Sequence, residues 1–252
     1  MTPHDAHNDH LKGSEKGRFA FVIPVYNHEQ RVSNVIERAV ELGIPVFVVN
    51  DGSTDSTYDR IKDIRNIHVL HHKENMGKGA AMMTGFAQAA KIADWAITVD
   101  ADGQHNPEDA LELIQAIPDN KRPIVVGVRK GMIKEDAPWT SRFGRKFSNF
   151  WVLLSGGPRL SDSQSGFRIY PLPESMNLRV KAKRFQFEVE VLVKARWKKL
   201  PVTEAPVSVN YSTDLERISH FRPFIDFLRN SNTFTRLIVQ RIFIPVSIRK
   251  KQ

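Results

Sequence analysis

The sequence has no cysteine among its 252 residues. This absence excludes disulfide bonds, thiolate metal sites and a cysteine nucleophile. The sequence also lacks an apolar run near the ~20 residues that span a bilayer. Residues 1–17 are polar and show no apolar core of a signal peptide, so we expect a disordered tail there. No His-Glu-x-x-His motif occurs, which argues against a zinc protease. These absences together predict a soluble or peripheral protein.

Charge is unevenly balanced, with 37 Lys and Arg against 28 Asp and Glu, a formal net charge of +9. Such an excess favours a polyanionic partner: nucleic acid, an anionic membrane or a phosphorylated substrate. No nucleic-acid-binding motif is recognisable, so we expect no nucleic-acid partner. Hydrophobic residues make up 41% and charged residues 26%, as in an ordinary globular protein.

Short apolar runs alternate with segments of helical periodicity. The runs do not alternate cleanly with polar residues, which predicts parallel strands buried on both faces, with helices between them. We therefore expect an α/β fold with a mixed, mainly parallel sheet over residues 18–232, followed by a basic amphipathic C-terminal tail over residues 233–252. The five predicted apolar strands are residues 19–23, 46–49, 67–70, 95–99 and 124–128, and a polar loop over residues 161–170 is predicted to lead into a further short strand.

Polar clusters follow four of the five predicted strands. Because ligands bind at the carboxyl ends of strands in an open parallel sheet, these clusters predict one site on one edge. The clusters occupy residues 24–29, 51–55, 100–105 and 129–130.

Asp100 and Asp102 carry the strongest chemical signal. In an extended segment, residues i and i+2 point to the same side, so the two carboxylates would repel each other without a cation nearby. Mg²⁺ or Mn²⁺ takes oxygen ligands and keeps positions open for substrate phosphates. The alternative is a solvated acidic turn before a helix.

Two further segments have both a binding and a structural interpretation. Asp51 leaves its strand directly and is placed to hydrogen-bond a nucleobase or ribose, whereas residues 53–55 suit a helix cap. Lys78 lies between two glycines at a predicted helix start, where it would approach an anion. A simple loop-to-helix turn is the alternative at Lys78.

Five motifs occur in a diagnostic order. They are Val-Ile-Pro-Val-Tyr-Asn at 22–27, Val-Asn-Asp-Gly-Ser-Thr-Asp at 49–55, Asn-Met-Gly-Lys-Gly at 75–79, Asp-Ala-Asp-Gly-Gln-His at 100–105 and Asp-Ser-Gln-Ser-Gly-Phe-Arg at 162–168. Together they resemble a family 2 glycosyltransferase with the glycosyltransferase A (nucleotide-diphospho-sugar transferase) fold. The similarity is greatest to the dolichol-phosphate mannosyltransferase and polyprenyl-phosphate glycosyltransferase branch, over roughly residues 18–210.

The resemblance implies an inverting, metal-dependent transfer of a hexose from a UDP- or GDP-linked donor. It assigns the base and ribose to Pro24, Tyr26 and Asp51. The metal and donor sugar fall to Asp100, Ala101, Asp102 and Gln104, with Asp102 the main ligand of Mg²⁺ or Mn²⁺. The acceptor falls to Asp162, with Arg168 orienting its segment. Arg129 would contact the diphosphate, and the helix at 187–190 would carry an acid toward the site.

One position departs from the family pattern. Glu commonly follows Tyr-Asn directly, but here His28 stands there and Glu29 comes next. Either Glu29 does the same work after a one-residue shift, or His28 replaces it. We also expect His220 and Arg222 to lie in a loop that closes over the donor diphosphate.

The expected mechanism depends on the chemical group of the acceptor. A hydroxyl acceptor needs a general base, for which Asp162, Glu188 and Glu190 are the choices, whereas a phosphate acceptor is already anionic. Basic residues interleaved with aromatics at 142–151 and 217–251 favour a lipid-phosphate acceptor at a membrane surface. The alternative, equally open over residues 143–154, is that these aromatics pack into the core while the charges face water. We therefore expect a cytoplasmic protein, peripheral at the inner membrane face, alone, as a homo-oligomer or with a membrane subunit.

Three alternatives stay open at this point. They are the same chemistry on a soluble saccharide or other hydroxyl acceptor, a non-catalytic nucleotide-sugar-binding relative, and a nucleotidyltransferase. The last would usually carry a glycine-rich, basic loop near the first strand, and residues 24–29 do not resemble one.

Overall fold

The computed structural model describes residues 16–129, 139–209 and 223–249, and its centre is one seven-stranded sheet. The strand order is β3-β2-β1-β4-β6-β5-β7. The strands are β1 (Phe19–Val25), β2 (Val46–Asn50), β3 (Ile67–His71), β4 (Trp95–Thr98), β5 (Ile124–Arg129), β6 (Arg168–Pro171) and β7 (Val202–Val207).

The sheet is mixed and mainly parallel, as predicted. β1 pairs in parallel with β2 and β4, β2 with β3, and β5 with β7. β6 alone runs antiparallel, between β4 and β5. The carboxyl ends of β1, β2, β4 and β5 consequently meet at one edge.

One expectation about the strands is wrong and one strand was missed. β3 was expected to be buried on both faces, but it is the edge strand and its residues are half-buried or exposed. β7, at the other edge, was not predicted. Its Thr203 and Glu204 interrupt the apolar run by which the buried strands were found.

Helices cover both faces of the sheet. The alternating residues Phe21 and Ile23 of β1 face one core cluster, and Ala20 and Val22 face the other. This alternation explains the continuous apolar runs, since both faces are buried. The helices are α1 (Val32–Glu41), α2 (Thr57–Ile61), α3 (Lys78–Ala89), α4 (Ala110–Gln115), α5 (Trp139–Leu154), α6 (Phe187–Trp197), α7 (Pro223–Phe243) and α8 (Val246–Arg249).

A third cluster joins α5, α6 and α7. Val152, Val193, Phe234 and Leu237 are buried in it, and the Trp151 ring stacks on Phe234 at 6.1 Å between centroids. The expected start of the C-terminal tail at residue 233 therefore falls inside α7, and the first residues of that segment pack on the domain. Within the described ranges, no helix combines the length and hydrophobicity needed to span a bilayer.

Candidate active site

The sequence-predicted residues cluster at the carboxyl edge of the sheet. Pro24 lies within β1, opposite Val49, and Tyr26 follows the end of that strand. Ala101 comes just after β4 and is buried in the core, so its side chain contributes packing. Arg129 is the last residue of β5.

Lys78 is the centre of this edge. Its Nζ atom lies 2.5 Å from Oδ1 of Asp100 and 2.5 Å from Oε1 of Glu188. The three side chains come from the first turn of α3, the end of β4 and the first turn of α6. One cation therefore joins two carboxylates from distant parts of the chain.

The electrostatics of this cluster favour the charged forms. Burial by itself would raise the pKa of Asp100, but the Lys78 ammonium outweighs it, with smaller contributions from His105 and His28, and lowers that pKa below its usual 3.8. Burial likewise opposes the charge on Lys78, yet Asp100 and Glu188 raise its pKa above 10.5. A network of opposite charges thus persists at neutral pH.

Gly166, from the Ser-Gly-Phe-Arg segment, closes over the charged cluster. A Cβ atom at this position would lie 2.4 Å from Oδ2 of Asp100 and 2.7 Å from Nζ of Lys78. Only glycine leaves room for this approach. The sequence motif contained Gly166, but no pattern indicated which atoms required it.

Asp102 differs from Asp100 in its surroundings. One carboxylate oxygen accepts a hydrogen bond from the backbone N–H of Gln104 at 3.0 Å, and the Asp102 carbonyl accepts one from Arg31 at 2.9 Å. Burial raises the pKa of Asp102, and the neighbouring Asp100 raises it further. Its second carboxylate oxygen has no hydrogen-bond partner among the described residues.

This donor set fits a divalent cation held in part by substrate. Mg²⁺ and Mn²⁺ use one or two protein carboxylates and complete their coordination with phosphate oxygens and water. Asp102 offers such a carboxylate, while Asp100 is paired with Lys78. The described residues contain no cluster of three or more acidic, His or Cys side chains that would bind the ion without substrate.

Asp51 has structural partners for both carboxylate oxygens. Oδ1 accepts from the backbone N–H of Met76 at 2.9 Å, and Oδ2 from that of Gly77 at 2.7 Å. His72 Nδ1 also lies 2.6 Å from Oδ1, and its Nε2 lies 2.9 Å from the Thr84 hydroxyl. Asp51 therefore holds the loop that leads to Lys78, whatever contact it makes with a nucleoside.

His72 is a residue of this edge that the sequence did not predict. It follows β3 as the predicted clusters follow their strands, and that position was the available signal. A histidine beside a strand is usually a surface residue, and this interpretation holds for His68 and His71 of β3, which are exposed, but not for His72.

Arg129 and Asp162 form a bidentate pair. The Nε and Nη2 atoms of Arg129 donate to the two Asp162 oxygens at 2.6 and 3.0 Å. The Asp162 side chain is fully buried. Glu204 of β7 accepts hydrogen bonds from the backbone N–H groups of Ser161 and Asp162 and so fixes the same segment.

Arg168, which the motif resemblance also places among the nucleotide-sugar-binding residues, is fully buried and lies behind the open edge of the site. Its guanidinium donates to the carbonyl oxygens of Ser163, Ser165 and Glu188 at 2.7 to 2.9 Å. It orients the segment after Asp162, as the resemblance implied, and does not reach the open edge.

The two acids of α6 face different ways. Glu188 contacts Lys78, whereas Glu190 accepts hydrogen bonds from the backbone N–H groups of Lys181 and Ala182 and pairs with Arg236 of α7. Glu190 is therefore removed from the choices for a general base, because it holds structure away from the site.

Glu29 is tied to the neighbouring helix. Its carboxylate accepts a hydrogen bond from the backbone N–H of Ser56 at 2.9 Å, and the backbone N–H of His28 donates to the Thr57 hydroxyl. His220 and Arg222 lie outside the described residues.

Known proteins are similar to this chain in sequence and in fold. The profile of "Glycosyl transferase family 2" matches residues 20–172. The UDP-N-acetylglucosamine–dolichyl-phosphate N-acetylglucosaminyltransferase of Methanococcus voltae is 32% identical over 213 residues, covering 76% of this chain and 85% of the relative. The polyprenol monophosphomannose synthase of Mycolicibacterium smegmatis is 26% identical over 211 residues, covering 76% and 77%.

A solved structure extends the likeness to the fold. Glucosyl-3-phosphoglycerate synthase from Mycobacterium tuberculosis, in complex with Mn²⁺, UDP and phosphoglyceric acid, superposes with a TM-score of 0.67 at 18% identity. The match covers 97% of this chain and 84% of that one. The sheet is accordingly that of the glycosyltransferase A fold. The profile match spans more than half of the sequence, and the chain is a glycosyltransferase that belongs to glycosyl transferase family 2.

Proposed function

We propose that this protein transfers a hexose, with inversion, from a nucleotide diphosphate sugar to the phosphate of a polyprenyl lipid. The relatives that share about three quarters of the chain are named for transfer to dolichyl phosphate or for making polyprenol monophosphomannose, which supports this class of acceptor. The 32% identical relative is named for a UDP-linked donor, which supports a UDP-linked donor over a GDP-linked one.

The observation that carries the proposal is that each of the two remaining candidate general bases, Asp162 and Glu188, forms an ion pair with a basic side chain. Asp162 is buried against Arg129, and Glu188 is paired with Lys78. A general base must be free to hydrogen-bond the hydroxyl that it deprotonates, and both of these carboxylates are already engaged by cations. A phosphate acceptor needs none, because its oxygen is already anionic.

The bond changes then balance without a proton transfer. A phosphate oxygen of the lipid attacks the anomeric carbon from the face opposite the diphosphate. The bond between that carbon and the diphosphate oxygen breaks, and the diphosphate departs with the electron pair. Arg129 and Lys78 are proposed to stabilise the charge that develops on it.

Asp102 would hold Mg²⁺ or Mn²⁺ against the diphosphate. The bound ion supplies stabilisation of the leaving group's negative charge. The Gln104 backbone N–H orients the Asp102 carboxylate through its 3.0 Å hydrogen bond. Pro24, Tyr26, Glu29 and Asp51 are proposed to form the nucleoside side of the site, with His220 and Arg222 over the diphosphate.

The proposal includes a place of action. We place the protein at the cytoplasmic face of a membrane, as a peripheral protein, where a lipid acceptor is within reach. The catalytic unit is proposed to begin at residue 18 and, because the predicted boundary at residue 232 lies inside α7, to include that helix to Phe243.

A paired-acceptor assay tests this function. The full chain is incubated with UDP-N-acetylglucosamine, UDP-glucose or GDP-mannose, with Mn²⁺, and with a short-chain polyprenyl phosphate in detergent. The matched acceptor is the corresponding polyprenol, which has the same chain but a hydroxyl. We expect a glycosylated product from the phosphate only, detected by mass spectrometry.

Asp102→Asn supplies the control for chemistry. It should fold as the wild type does, lose metal-dependent donor binding in isothermal titration, and form no product. Transfer to the polyprenol or to a free saccharide, with none to the lipid phosphate, would contradict the proposal. Donor binding without transfer to any acceptor would instead favour a non-catalytic relative.

A further inference from the structure

Exposed apolar side chains are concentrated on one part of the surface. Of eleven exposed large hydrophobic side chains in the described ranges, eight lie on α5, α7 and α8. We call these eight residues the apolar patch: Phe150, Leu153, Leu154, Val239, Ile242, Phe243, Val246 and Ile248. Clusters of this kind mark protein or membrane interaction sites.

The apolar patch is a second apolar stripe, distinct from the stripe that packs the fold. In α7, Phe234 and Leu237 face the core, while Ile242 and Phe243 are 67% and 75% exposed. In α5, Val152 is buried while Phe150 is 58% exposed. Exposed residues recur at i, i+3 and i+4 in both helices, so each helix presents a continuous outward face.

The two outward faces meet at one corner of the molecule. Arg241, next to Ile242 in α7, donates from its Nη1 atom to the carbonyl oxygen of Leu154 at the end of α5. The Arg249 guanidinium lies 5.1 Å from the centroid of the Trp197 ring, which keeps α8 beside the end of α6. The apolar patch is therefore one surface, because the contacts of Arg241 and Arg249 hold its helices together.

The positive charge near the apolar patch indicates which kind of partner it binds. The α5 segment and residues 233–252 contain eight basic and no acidic residues: Arg142, Arg145, Lys146, Arg236, Arg241, Arg249, Lys250 and Lys251. A second copy of the chain would bring the same positive residues together in a two-fold interface, which is unfavourable. An anionic lipid surface offers the opposite charge and accepts apolar side chains below its headgroups.

The patch also begins beside the acceptor segment. Asn149 donates to the Ser161 carbonyl oxygen and accepts from the Ser163 N–H, and these two residues flank Asp162. Phe150 is the next residue after Asn149. A surface that docks through Phe150 would therefore hold the Asp162 segment close to the membrane.

We propose that the apolar patch, with the described basic side chains Arg145, Lys146, Arg241 and Arg249 on its helices, docks the protein onto an anionic phospholipid bilayer. This inference deepens the proposed function, since it names the surface through which a lipid acceptor would be reached. It does not depend on which sugar is transferred.

Vesicle co-sedimentation of the full chain tests the docking surface. The probes are vesicles of phosphatidylcholine alone and vesicles with about 30 mol % phosphatidylglycerol. The double variant Ile242→Ser/Phe243→Ser changes two exposed residues that make no core contact. Ile92→Ser, at another exposed apolar position, is the matched control.

The wild type should bind the anionic vesicles and bind the neutral ones much less. We expect the double variant to bind the anionic vesicles about tenfold or more weakly, because two apolar side chains no longer enter the lipid. Ile92→Ser should bind as the wild type does. Equal binding by the double variant and wild type, equal binding to both vesicle types, or a dimer that the double variant abolishes would each overturn the proposal.

The activity assay in detergent separates this inference from the proposed function. The double variant should still glycosylate a short-chain polyprenyl phosphate in detergent, where docking is not needed. Vesicle binding without any transfer would refute the proposed function and leave the docking surface standing. Transfer in detergent by a protein that ignores anionic vesicles would do the reverse.

Discussion

The Lys78 ammonium lies 2.5 Å from the carboxylate of Asp100, the first aspartate of the Asp-Ala-Asp motif. The two aspartates of the motif therefore lie in different electrostatic environments. Asp100 is paired with a cation of the protein itself, whereas one carboxylate oxygen of Asp102 has no hydrogen-bond partner among the described residues. Glu188, also 2.5 Å from Lys78, links the pair to α6.

Removing the Lys78 charge should destabilise the fold. Lys78→Met leaves Asp100 and Glu188 without their cation, and we expect the free energy of unfolding at pH 7 to fall by about 3 kcal/mol. Urea unfolding measures this loss. Lys91→Met, at an exposed lysine after the end of the same helix, should change it little. Equal stability of Lys78→Met and wild type would show that the pair contributes nothing.

The Lys78→Met effect should depend on pH in a defined direction. The folded state depresses the Asp100 pKa, so this stabilisation is present above its usual 3.8 and is lost as the pH falls through the lower folded value. The raised Lys78 pKa gives stabilisation that is present below 10.5 and is lost only in stronger alkali. The stability gap between wild type and variant should thus be flat near neutrality and shrink below about pH 4. A gap that grows on acidification would contradict this assignment.

Gly166 is expected to tolerate no side chain. In Gly166→Ala the new Cβ meets Asp100 at 2.4 Å, so the charged cluster must shift. We expect a loss of about 1–3 kcal/mol in unfolding free energy and a reduced transfer rate. Gly144→Ala is the matched control, because the nearest atom to its Cβ is 3.8 Å away. If both variants behaved alike, the close approach at Gly166 would not be important.

His72 should act on donor binding through Asp51. His72→Phe removes the 2.6 Å contact to Asp51 and loosens the loop before Lys78. We expect the KM for the nucleotide sugar to rise about tenfold with a smaller change in kcat, corresponding to about 1.4 kcal/mol. His71→Phe, an exposed neighbour that retains its ring against Tyr58, should leave both parameters unchanged. A fall in kcat alone would argue against a positioning role.

Asp162→Asn distinguishes positioning from general-base catalysis. Loss of a general base lowers kcat by about 10²–10⁴-fold. If Asp162 only holds Arg129, the variant should instead change the KM for the donor, with kcat reduced less than about tenfold. Steady-state kinetics with the polyprenyl phosphate acceptor measures the split. Asp119→Asn, at an exposed aspartate, controls for loss of one charge.

Much of the fold was predictable from local pattern. The apolar runs at β1, β2, β4 and β5 correspond to strands covered on both faces, and burial of that kind requires continuous hydrophobicity. β7 was missed because Glu204 serves the Asp162 segment rather than the core. The edge strand β3 was found, but its exposure depends on strand order, which local pattern does not contain.

The sequence by itself determined which residue types lie at the carboxyl edge of the sheet, because each polar cluster comes directly after a strand. Only the tertiary structure decided their partners. Lys78 and Glu188 are 110 residues apart in the chain, and packing of α3 against α6 brings them together. Glu188 and Glu190 have the same chemistry, but a helix turns them about 200° apart, so one meets Lys78 and the other meets Arg236. Local sequence specifies the chemistry of a side chain, whereas its contacts follow from how distant elements pack.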